Sequence, residues 1–317
     1  MRAATVGGIG TALPTSVVTN DDLSLILDTD DEWIRERTGI EERRVAAPDE
    51  STVTLGAAAA TAALADASRA VDDVDLVIVA TVTPPTHLPG DAARLQHVLG
   101  LRCGGFDVNG ACAGFVHALA AASAHVMAGS AECVLVVGAE TLTRVVDPHD
   151  RSTAVLFGDG AGAAVVIAGP GGDDEPGLLA WNAGCDGEAE GILRIPPGQK
   201  YVEMEGREVF RRAVRAMVSS SRAALERAKL SPDDVDLFVP HQANARIVTA
   251  TADRLGIEPG RTVLSVAHTG NTSAASIPIA LRQALDTGRL ASGDVVLLTA
   301  VGAGLSWASA VLRWAGP

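Results

Sequence analysis

The stretch Val71-Asp-Asp-Val-Asp-Leu-Val-Ile-Val79 decides the fold of this chain, because it recurs in the second half as Pro232-Asp-Asp-Val-Asp-Leu-Phe-Val-Pro240. The apolar end of the first copy is short, continuous and β-branched, which is typical of a strand buried on both faces of a sheet. Two equivalent aspartates in the copies, Asp75 and Asp236, are 161 residues apart. The sequence therefore predicts two similar halves.

A second pair of similar segments, residues 128–137 and 290–298, has the same offset. Two matches at one offset favour a duplication, since strands that merely follow helices would share no fixed spacing. The predicted halves are residues 1–168 and 177–317. Between them lies a cluster of glycine, proline and acidic residues that can continue neither a helix nor a strand.

Segments of helical length lie between the strand-like runs. Residues 55–67 and 115–127 are rich in alanine and predict helices, and a longer helix is predicted from about Gly206 to Lys229. Strands that alternate with helices indicate an α/β fold with covered central sheets.

The composition is that of a globular protein, with 47% hydrophobic and 20% charged residues among 317. A formal net charge of -14 argues against a nucleic-acid-binding protein and against a polybasic membrane-surface protein. No apolar run approaches the roughly 18 residues that a membrane-spanning helix needs, and the first residues lack the order of a signal peptide. We therefore expect a cytoplasmic protein without a membrane partner.

The four cysteines indicate neither a metal site nor a disulfide framework. Cys103, Cys112, Cys133 and Cys185 are unclustered and form no CxxC pair. Such cysteines suit a reducing compartment. A lone cysteine is more often a core residue than a reactive one, and we interpret all of them except Cys112 in this way.

Cys112 differs from the others in its local sequence, Asp107-Val-Asn-Gly-Ala-Cys-Ala-Gly-Phe115. The segment joins a strand-like run to the alanine-rich helix that begins near Gly114, and its small residues permit a tight turn that exposes the sulfur. A thiol at a helix N-terminus faces the positive end of the helix dipole, which favours the thiolate. The pattern predicts a nucleophile.

Two polar segments in the second half are candidates for the same site. Val239-Pro-His-Gln-Ala-Asn-Ala-Arg246 places His241 at the carboxyl end of a predicted strand, where active sites of α/β sheets collect, although a structural histidine is an equally good interpretation. Asn271 lies two residues from the position that the 161-residue offset gives for Cys112. Duplication would bring these turns together.

The segment Ala300-Val-Gly-Ala-Gly-Leu-Ser-Trp307 follows the last long strand pattern. It is either an ordinary glycine turn or a turn whose backbone N–H groups are open to a ligand, as an oxyanion hole requires.

Together these segments resemble the β-ketoacyl-acyl-carrier-protein synthase III family of the thiolase superfamily. The motifs that carry the resemblance are ACAGF around Cys112, PHQANARI around His241, GNTSAAS around Asn271 and VGAGLSW near the end. The opening segments and LFGDGAG, residues 156–162, fit as well, so that the resemblance covers essentially the whole chain. It implies a thiolase-like, five-layered αβαβα fold of two duplicated halves and a homodimer.

The resemblance also implies the reaction, a decarboxylative Claisen condensation of an acyl-CoA with malonyl-acyl-carrier-protein. Cys112 would hold the acyl group, and His241 and Asn271 would stabilise the enolate left by decarboxylation. Backbone N–H groups of Cys112 and Ala303 would form the oxyanion hole. CoA enters as part of a substrate, so that no resident cofactor is implied.

The resemblance further implies a set of CoA-binding residues, namely Trp33, Arg37, Arg151, Phe210, Arg211 and Arg246. Arginine suits this role because its planar fork binds phosphate and stacks on flat rings. The same basic rim could receive the acidic carrier protein. For Arg211 the alternative is an exposed helix face, since arginines at 207, 212 and 215 continue the same stripe.

Two residues depart from the family pattern at the acyl pocket. Val301 and Leu88 stand where bulkier aromatic side chains are common, the latter on a loop that reaches the partner subunit. Both changes remove volume and predict a roomier pocket for branched or larger acyl starters, although such changes discriminate by only about 1–3 kcal/mol.

Three alternatives remain open from the sequence. A relative could transfer its acyl group to a hydroxyl, an amine or a carrier protein, or prime a polyketide pathway. A non-catalytic partner subunit would have lost the nucleophile, which is present here. A simple thiolase would need a second catalytic cysteine near the C-terminus, and none follows Cys185.

Overall fold

Two mixed β-sheets organise the chain in this computed structural model, which describes residues 2–169, 171 and 175–316. The strands are β1 (Ala3–Ala12), β2 (Ser16–Thr19), β3 (Glu42–Val45), β4 (Leu76–Ala80), β5 (Gly104–Val108), β6 (Cys133–Thr141), β7 (Asp159–Gly169), β8 (Gly177–Cys185), β9 (Leu193–Arg194), β10 (Glu203–Met204), β11 (Leu237–Pro240), β12 (Val295–Gly302) and β13 (Ser306–Arg313). The helices are α1 (Asn20–Ser24), α2 (Asp31–Thr38), α3 (Thr52–Asp66), α4 (Asp91–Leu99), α5 (Gly114–Met127), α6 (Arg151–Ala154), α7 (Gly206–Arg227), α8 (Ala245–Leu255) and α9 (Ser276–Asp286). The helices predicted near residues 55–67, 115–127 and 206–229 are confirmed as α3, α5 and α7.

The two sheets share one strand order over four strands, and the first sheet has β5 as an additional edge strand. The first runs β1-β7-β6-β4-β5, and the second, read from its other end, runs β8-β13-β12-β11. β4 is parallel to β6 as β11 is parallel to β12, and the additional strand β5 is parallel to β4, while all other neighbours in the two sheets are antiparallel. This matching topology supports the duplication expected from the 161-residue offset. Each proposed half contains one of the two large sheets. Residues 1–168 contain the first sheet except Gly169, the last residue of β7, and residues 177–317 contain the second. Part of the segment between the halves lies outside the described residues.

Helices and sheets alternate in five layers. α3 and α4 cover the outer face of the first sheet, α5 and α9 lie between the sheets, and α7 and α8 cover the second sheet. β4 is buried from Val77 to Ala80, as a strand covered on both faces should be. Small residues let the layers approach closely: a Cβ at Gly10 of β1 would lie 2.2 Å from the backbone nitrogen of Ala63 in α3. The predicted five-layered α/β fold is confirmed.

The central layer positions the site. Each of its helices is preceded by a 3-10 turn, Ala111–Ala113 before α5 and Ser273–Ala275 before α9. The two turns begin with the same left-handed backbone, with φ of 47° at Ala111 and 48° at Ser273. They lie against each other in the middle of the molecule. None of the helices in the described residues is long and apolar enough to span a bilayer.

Candidate active site

Cys112 lies in the turn between β5 and α5, at the centre of the molecule. The end of β12 passes directly over its backbone: a Cβ at Gly302 would lie 2.5 Å from the nitrogen of Cys112. Glycine is therefore required at position 302 by close approach. This packing brings the turn after β12 against the candidate nucleophile.

Two cavities meet at Cys112. The larger has a volume of about 730 Å³ and is lined by Cys112, His241 and Asn271 among others. The smaller, of about 290 Å³, is also lined by Cys112. The sulfur thus stands where a group from one cavity can be passed to the other, and the three side chains predicted to act together do share one cavity.

His241 follows the end of β11 and is buried, with 1% of its surface exposed. Its Nδ1 lies 2.7 Å from the hydroxyl oxygen of Ser276, and the backbone N–H of Gln242 donates to the same oxygen at 3.3 Å. We assign the Ser276 hydroxyl as the donor to Nδ1, which places the ring proton on Nε2. Burial lowers the pKa of His241 to about 3, so that the ring is neutral.

Asn271 is held in one orientation by its neighbours. Its Oδ1 accepts a hydrogen bond of 2.8 Å from the backbone N–H of Ser273, which turns the Nδ2 amide group away as a free donor. Its backbone is fixed by two hydrogen bonds to the segment after α6, from its N–H to the Leu156 carbonyl and from the Gly158 N–H to its own carbonyl. The side chain can therefore donate into the larger cavity.

The repeat relates Asn271 to a different residue than the 161-residue offset indicated. The two left-handed residues, Ala111 and Ser273, occupy equivalent positions 162 apart. At this offset Asn271 corresponds to Asn109, and Cys112 corresponds to Ala274. The turns are thus shifted by one residue relative to the compared strands before and after them, which both keep the 161-residue offset.

Burial of Cys112 opposes the thiolate that the helix N-terminus favours. The residue is only half-buried, but burial of its thiol raises the pKa to about 12; the Ser273 hydroxyl opposes this shift and the nearby Glu140 carboxylate adds to it. Desolvation thus outweighs the effect of the helix N-terminus, and the resting group is a thiol.

The oxyanion-hole candidates are placed on either side of the junction between the cavities. The N–H of Cys112 stands in the first turn before α5, and Ala303 follows β12 and lines the smaller cavity. Within the described residues neither N–H donates to a backbone or side-chain acceptor. Both are available to an oxygen of a bound thioester.

Trp33, Arg37 and Arg151 form one aromatic and basic group at the larger cavity. The guanidinium carbon of Arg37 lies 4.4 Å from the centre of the Trp33 ring, and that of Arg151 lies 4.8 Å from it. A flat ring bound here would stack on the indole or on a guanidinium plane.

Of the other predicted CoA contacts, two line the larger cavity and one does not. Phe210 of α7 and Arg246 of α8 lie together, with 5.9 Å between the guanidinium carbon and the ring centre. Arg211 does not line this cavity. Its side chain is 67% exposed and pairs with Glu208 at 2.7 Å, so that the exposed-stripe interpretation describes its position better.

The predicted acyl-pocket residues do not line the smaller cavity. Val301 is buried and lines the larger one. Leu88 is 86% exposed and lines neither cavity of its own chain. The apolar residues that do line the smaller cavity are Val82, Leu142, Val145, Phe157, Leu193, Ile195 and Val202. They come from several elements, and of them only Phe157 lies in a motif quoted from the sequence, LFGDGAG.

The remaining cysteines are free, and one expectation about them is wrong. Cys133 is buried and Cys103 packs against the core, but Cys185 is exposed at the end of β8, an edge strand of the second sheet. In the part of the chain that the structure describes, no group of three or more His, Cys, Asp or Glu side chains could hold a metal ion.

Comparison with known proteins places this site in a family. Residues 106–187 match the sequence model of 3-oxoacyl-[acyl-carrier-protein (ACP)] synthase III, and residues 225–314 match the model of its C-terminal part. A β-ketoacyl-[acyl-carrier-protein] synthase III of Dinoroseobacter shibae is 48% identical over 322 residues, 99% of each chain.

Two solved structures give the same result. The 3-oxoacyl-[acyl-carrier-protein] synthase III from Aquifex aeolicus has a TM-score of 0.94 and 43% identity, over 98% of this chain and 100% of its own. The priming β-ketosynthase from the R1128 polyketide biosynthetic pathway also has a TM-score of 0.94, with 40% identity over 100% of this chain and 97% of its own.

Proposed function

This chain belongs to the β-ketoacyl-acyl-carrier-protein synthase III family, and we propose that Cys112, His241 and Asn271 perform its reaction. That reaction is the condensation of an acyl-CoA with malonyl-acyl-carrier-protein, which initiates fatty acid synthesis. The observation that supports this assignment is the arrangement of the three residues. All three line one cavity, His241 and Asn271 are held by hydrogen bonds from their neighbours, and Cys112 also lines a second, smaller cavity.

In the first half-reaction Cys112 attacks the thioester carbon of the acyl-CoA. A bond forms between Sγ and that carbon, the bond to the CoA sulfur breaks, and the acyl group remains on the enzyme. The negative oxygen of the tetrahedral intermediate is stabilised by the N–H groups of Cys112 and Ala303. The acyl chain then occupies the smaller cavity.

In the second half-reaction His241 and Asn271 act as hydrogen-bond donors. The Nε2–H of neutral His241 and the Nδ2–H of Asn271 bind the thioester oxygen of the malonyl group. As the bond to the carboxylate breaks and carbon dioxide leaves, this oxygen gains the enolate charge that the two donors stabilise. The resulting carbanion attacks the acyl carbon and displaces Cys112. His241 needs no proton from solvent for this role.

The larger cavity is proposed to hold CoA and later the arm of the carrier protein. Trp33, Arg37 and Arg151 would bind the nucleotide, and Phe210 with Arg246 would border the path to Cys112. Arg211 is satisfied by Glu208 and is left out of the CoA site. At the cavity mouth Arg246 provides positive charge for an acidic carrier protein.

A homodimer is proposed from the edge of the first sheet. β5 is the last strand of that sheet, and its backbone from Gly104 to Asp107 is exposed, with the Phe106 ring 41% exposed. An uncovered edge strand is a template for pairing with a second copy. Leu88, nearly fully exposed, could then reach the partner's smaller cavity. A Phe106→Asp variant should sediment as a monomer, and an unchanged dimer would contradict this interface.

The two proposed halves contribute different parts of the site. Cys112 belongs to residues 1–168, and His241 and Asn271 belong to residues 177–317, so that neither half should act alone. Action in the cytoplasm is likewise proposed, as the compartment where both thioester substrates are made.

The proposed starters are larger than acetyl. The smaller cavity, in which the acyl chain is proposed to lie, has a volume of about 290 Å³ and is walled mainly by apolar side chains, whereas Val301 lines the larger cavity and does not bear on the starter. Competition among acetyl-, isobutyryl- and longer acyl-CoAs tests this, and a strong preference for acetyl-CoA would contradict it.

A second candidate function is supported by the 40% identity to a polyketide-priming synthase. Priming of a polyketide, or acyl transfer to a hydroxyl, an amine or a carrier protein, would use the same Cys112 intermediate.

Acyl-CoA is first added and the acylated peptide is located by mass spectrometry. Malonyl-acyl-carrier-protein then follows, with carbon dioxide and 3-oxoacyl product measured. Acyl transfer without carbon dioxide would favour simple transfer, and full acyl loading of Cys112→Ala would contradict the nucleophile.

A further inference from the structure

Arg43, in β3, is a fully buried arginine that the proposed reaction does not use. Burial lowers its pKa only to about 10, so that the guanidinium stays charged. A buried charge is costly unless hydrogen bonds compensate for the lost water. Here the acceptors are neutral oxygens. Nη1 donates to the carbonyl of Val18 at 3.1 Å, and Nη2 donates to Oδ1 of Asn20 and to the carbonyl of Val155, both at 2.9 Å.

The side-chain amide of Asn20 holds both ends of α2. Asn20 is the buried first residue of α1, and its Nδ2 donates at 2.8 Å to the carboxylate of Asp31, the first residue of α2. The same Nδ2 donates at 2.8 Å to the carbonyl of Ile40, two residues after α2 ends. A guanidinium offers donors only, so that Oδ1 has to face Arg43 and Nδ2 has to face the two acceptors. Arg43 thereby fixes the direction in which Asn20 donates.

The group that is proposed to bind the nucleotide comes from two helices, α2 and α6. Trp33 and Arg37 belong to α2, whereas Arg151 is the first residue of α6. Both guanidinium groups lie over the Trp33 ring, so that the group is complete only while the two helices keep their relative position. Val155 directly follows α6, and its carbonyl accepts from the Nη2 that also binds Asn20. One nitrogen thus connects the two helices.

Other contacts between these parts of the chain are less directional or less protected. Ile34 of α2 and Val155 belong to one apolar cluster, but apolar packing has no preferred direction. At the surface Arg151 donates to the carbonyl of Asp28, whose side chain is fully exposed. Water and salt weaken exposed polar contacts of this kind. The buried hydrogen bonds of Arg43 are therefore better suited to hold α2 and α6 in register.

We propose that Arg43 and Asn20 are positioning residues for the nucleotide of an acyl-CoA. Through their shared hydrogen bond they keep α2, with Trp33 and Arg37, at a fixed place relative to α6, with Arg151. They would determine how tightly acyl-CoA is bound, and the rate at which the bound thioester acylates the enzyme would not depend on them. The inference rests on the proposed CoA site in the larger cavity.

Asn20→Asp tests the proposal without a change in side-chain size. The new carboxylate still accepts from Arg43, but it offers no donor to the Ile40 carbonyl and it repels the carboxylate of Asp31. Adding Asp31→Asn to this variant restores a donor at that contact. Asp31→Asn alone is the matched control, since its amide oxygen still accepts from Asn20.

Arg43→Lys tests the cation itself. The charge remains, but an ammonium on a flexible chain does not reproduce the planar fork that serves Asn20 and Val155 together. Arg44→Lys is the control, because Arg44 is the next residue of β3 and pairs with Glu42 at 3.6 Å instead.

Each protein is acylated with acyl-CoA and with acyl-pantetheine, which carries the same thioester without the nucleotide. The quantities measured are the half-saturating concentration and the saturating rate of Cys112 acylation. We expect Asn20→Asp and Arg43→Lys to raise the half-saturating concentration of acyl-CoA roughly 5- to 20-fold, and the double variant to recover part of that loss. Saturating rates, all values for acyl-pantetheine and both controls should stay within about twofold of the wild type.

Three results would overturn the proposal. The first is an unchanged half-saturating concentration of acyl-CoA in Asn20→Asp, and the second is no recovery in the double variant. The third is an equal loss with acyl-CoA and acyl-pantetheine, which a general disturbance of the fold would produce. If Asn20→Asp does not fold, Arg43→Lys carries the same comparison of substrates. Failure of the proposed CoA site looks different, since the wild-type enzyme would then have the same half-saturating concentration for both substrates.

Discussion

The hydroxyl of Ser276, the first residue of α9, lies 2.7 Å from Nδ1 of His241 at the end of β11. With the Ser276 hydroxyl assigned as the donor, this contact places the ring proton on Nε2, the group proposed to face the malonyl thioester. A side chain that touches no substrate thereby sets the chemistry of one that does.

Ser276→Ala should therefore impair decarboxylation selectively. Without the hydroxyl the ring is free to place its proton on Nδ1, and the loss of one buried hydrogen bond, about 1–3 kcal/mol, predicts roughly 5- to 150-fold slower carbon dioxide release. Cys112 acylation should stay close to the wild-type rate. Single-turnover measurement of both half-reactions checks this, and an equal loss in both would exclude the tautomer explanation.

Burial of His241 should also appear in the pH dependence of stability. The unfolded chain binds a proton at this residue below about pH 6.5, whereas the folded chain does so only near pH 3, so that acid favours the unfolded state. The contribution is complete above pH 6.5 and is lost as the pH falls towards 3.

A His241→Gln variant isolates this contribution, since other titrating groups, Glu140 included, are common to both proteins. The free energy of unfolding of the wild type relative to the variant should fall by about 2 kcal/mol between pH 7 and pH 5. Urea unfolding at the two pH values measures it. A constant difference would show that His241 is not held neutral by burial.

Gly302→Ala should disable the nucleophile by displacing it. The added Cβ would lie 2.5 Å from the backbone nitrogen of Cys112, a backbone atom that cannot turn aside as a flexible side chain could. Overpacking of this kind typically costs about 1–3 kcal/mol of stability, and it also disturbs the oxyanion hole. Acylation should fall strongly, with a modestly lower Tm. Gly187→Ala, where the added Cβ meets nothing within 4 Å, is the control; equal acylation by both variants would refute the close-approach argument.

The nucleotide-binding group can be tested against an exposed arginine of the same charge. Arg37→Met removes a guanidinium that lies over Trp33, and the lost stacking and charge predict a KM for acyl-CoA roughly 5- to 10-fold higher. Arg211→Met, whose guanidinium is paired with Glu208, should leave this KM unchanged. Steady-state kinetics at low salt compares them. A larger effect at Arg211 would reverse the assignment made from the structure.

The site residues that could be predicted from the sequence are those that lie in recognisable local motifs. Cys112 and His241 each lie in a turn after a strand, so that strand pattern locates them, and Asn271 is located by the 161-residue offset and by its motif, GNTSAAS. The repeat also implied that the two sheets share a topology. Leu142, in contrast, reaches the smaller cavity only through tertiary packing, and nothing in its neighbourhood distinguishes it from other core residues.

The predictions that the structure opposes have equally specific causes. Arg211 was expected to bind CoA because the sequence shows a row of arginines and does not show that Glu208, one helical turn earlier, binds the Arg211 guanidinium. The thiolate at Cys112 followed from the helix N-terminus, whereas the desolvation that outweighs it depends on the whole fold. Ser276 lay within a motif already singled out, but its role needs the distance to His241, which no sequence pattern contains.

The central claim is that Cys112 performs acyl transfer while His241 and Asn271 perform decarboxylation. The most direct test loads His241→Ala and Asn271→Ala with acyl-CoA, measures Cys112 acylation by intact mass, and then adds malonyl-acyl-carrier-protein and measures carbon dioxide. We predict that both variants retain acylation and lose carbon dioxide release. Equal loss of the two half-reactions in both variants would contradict the account.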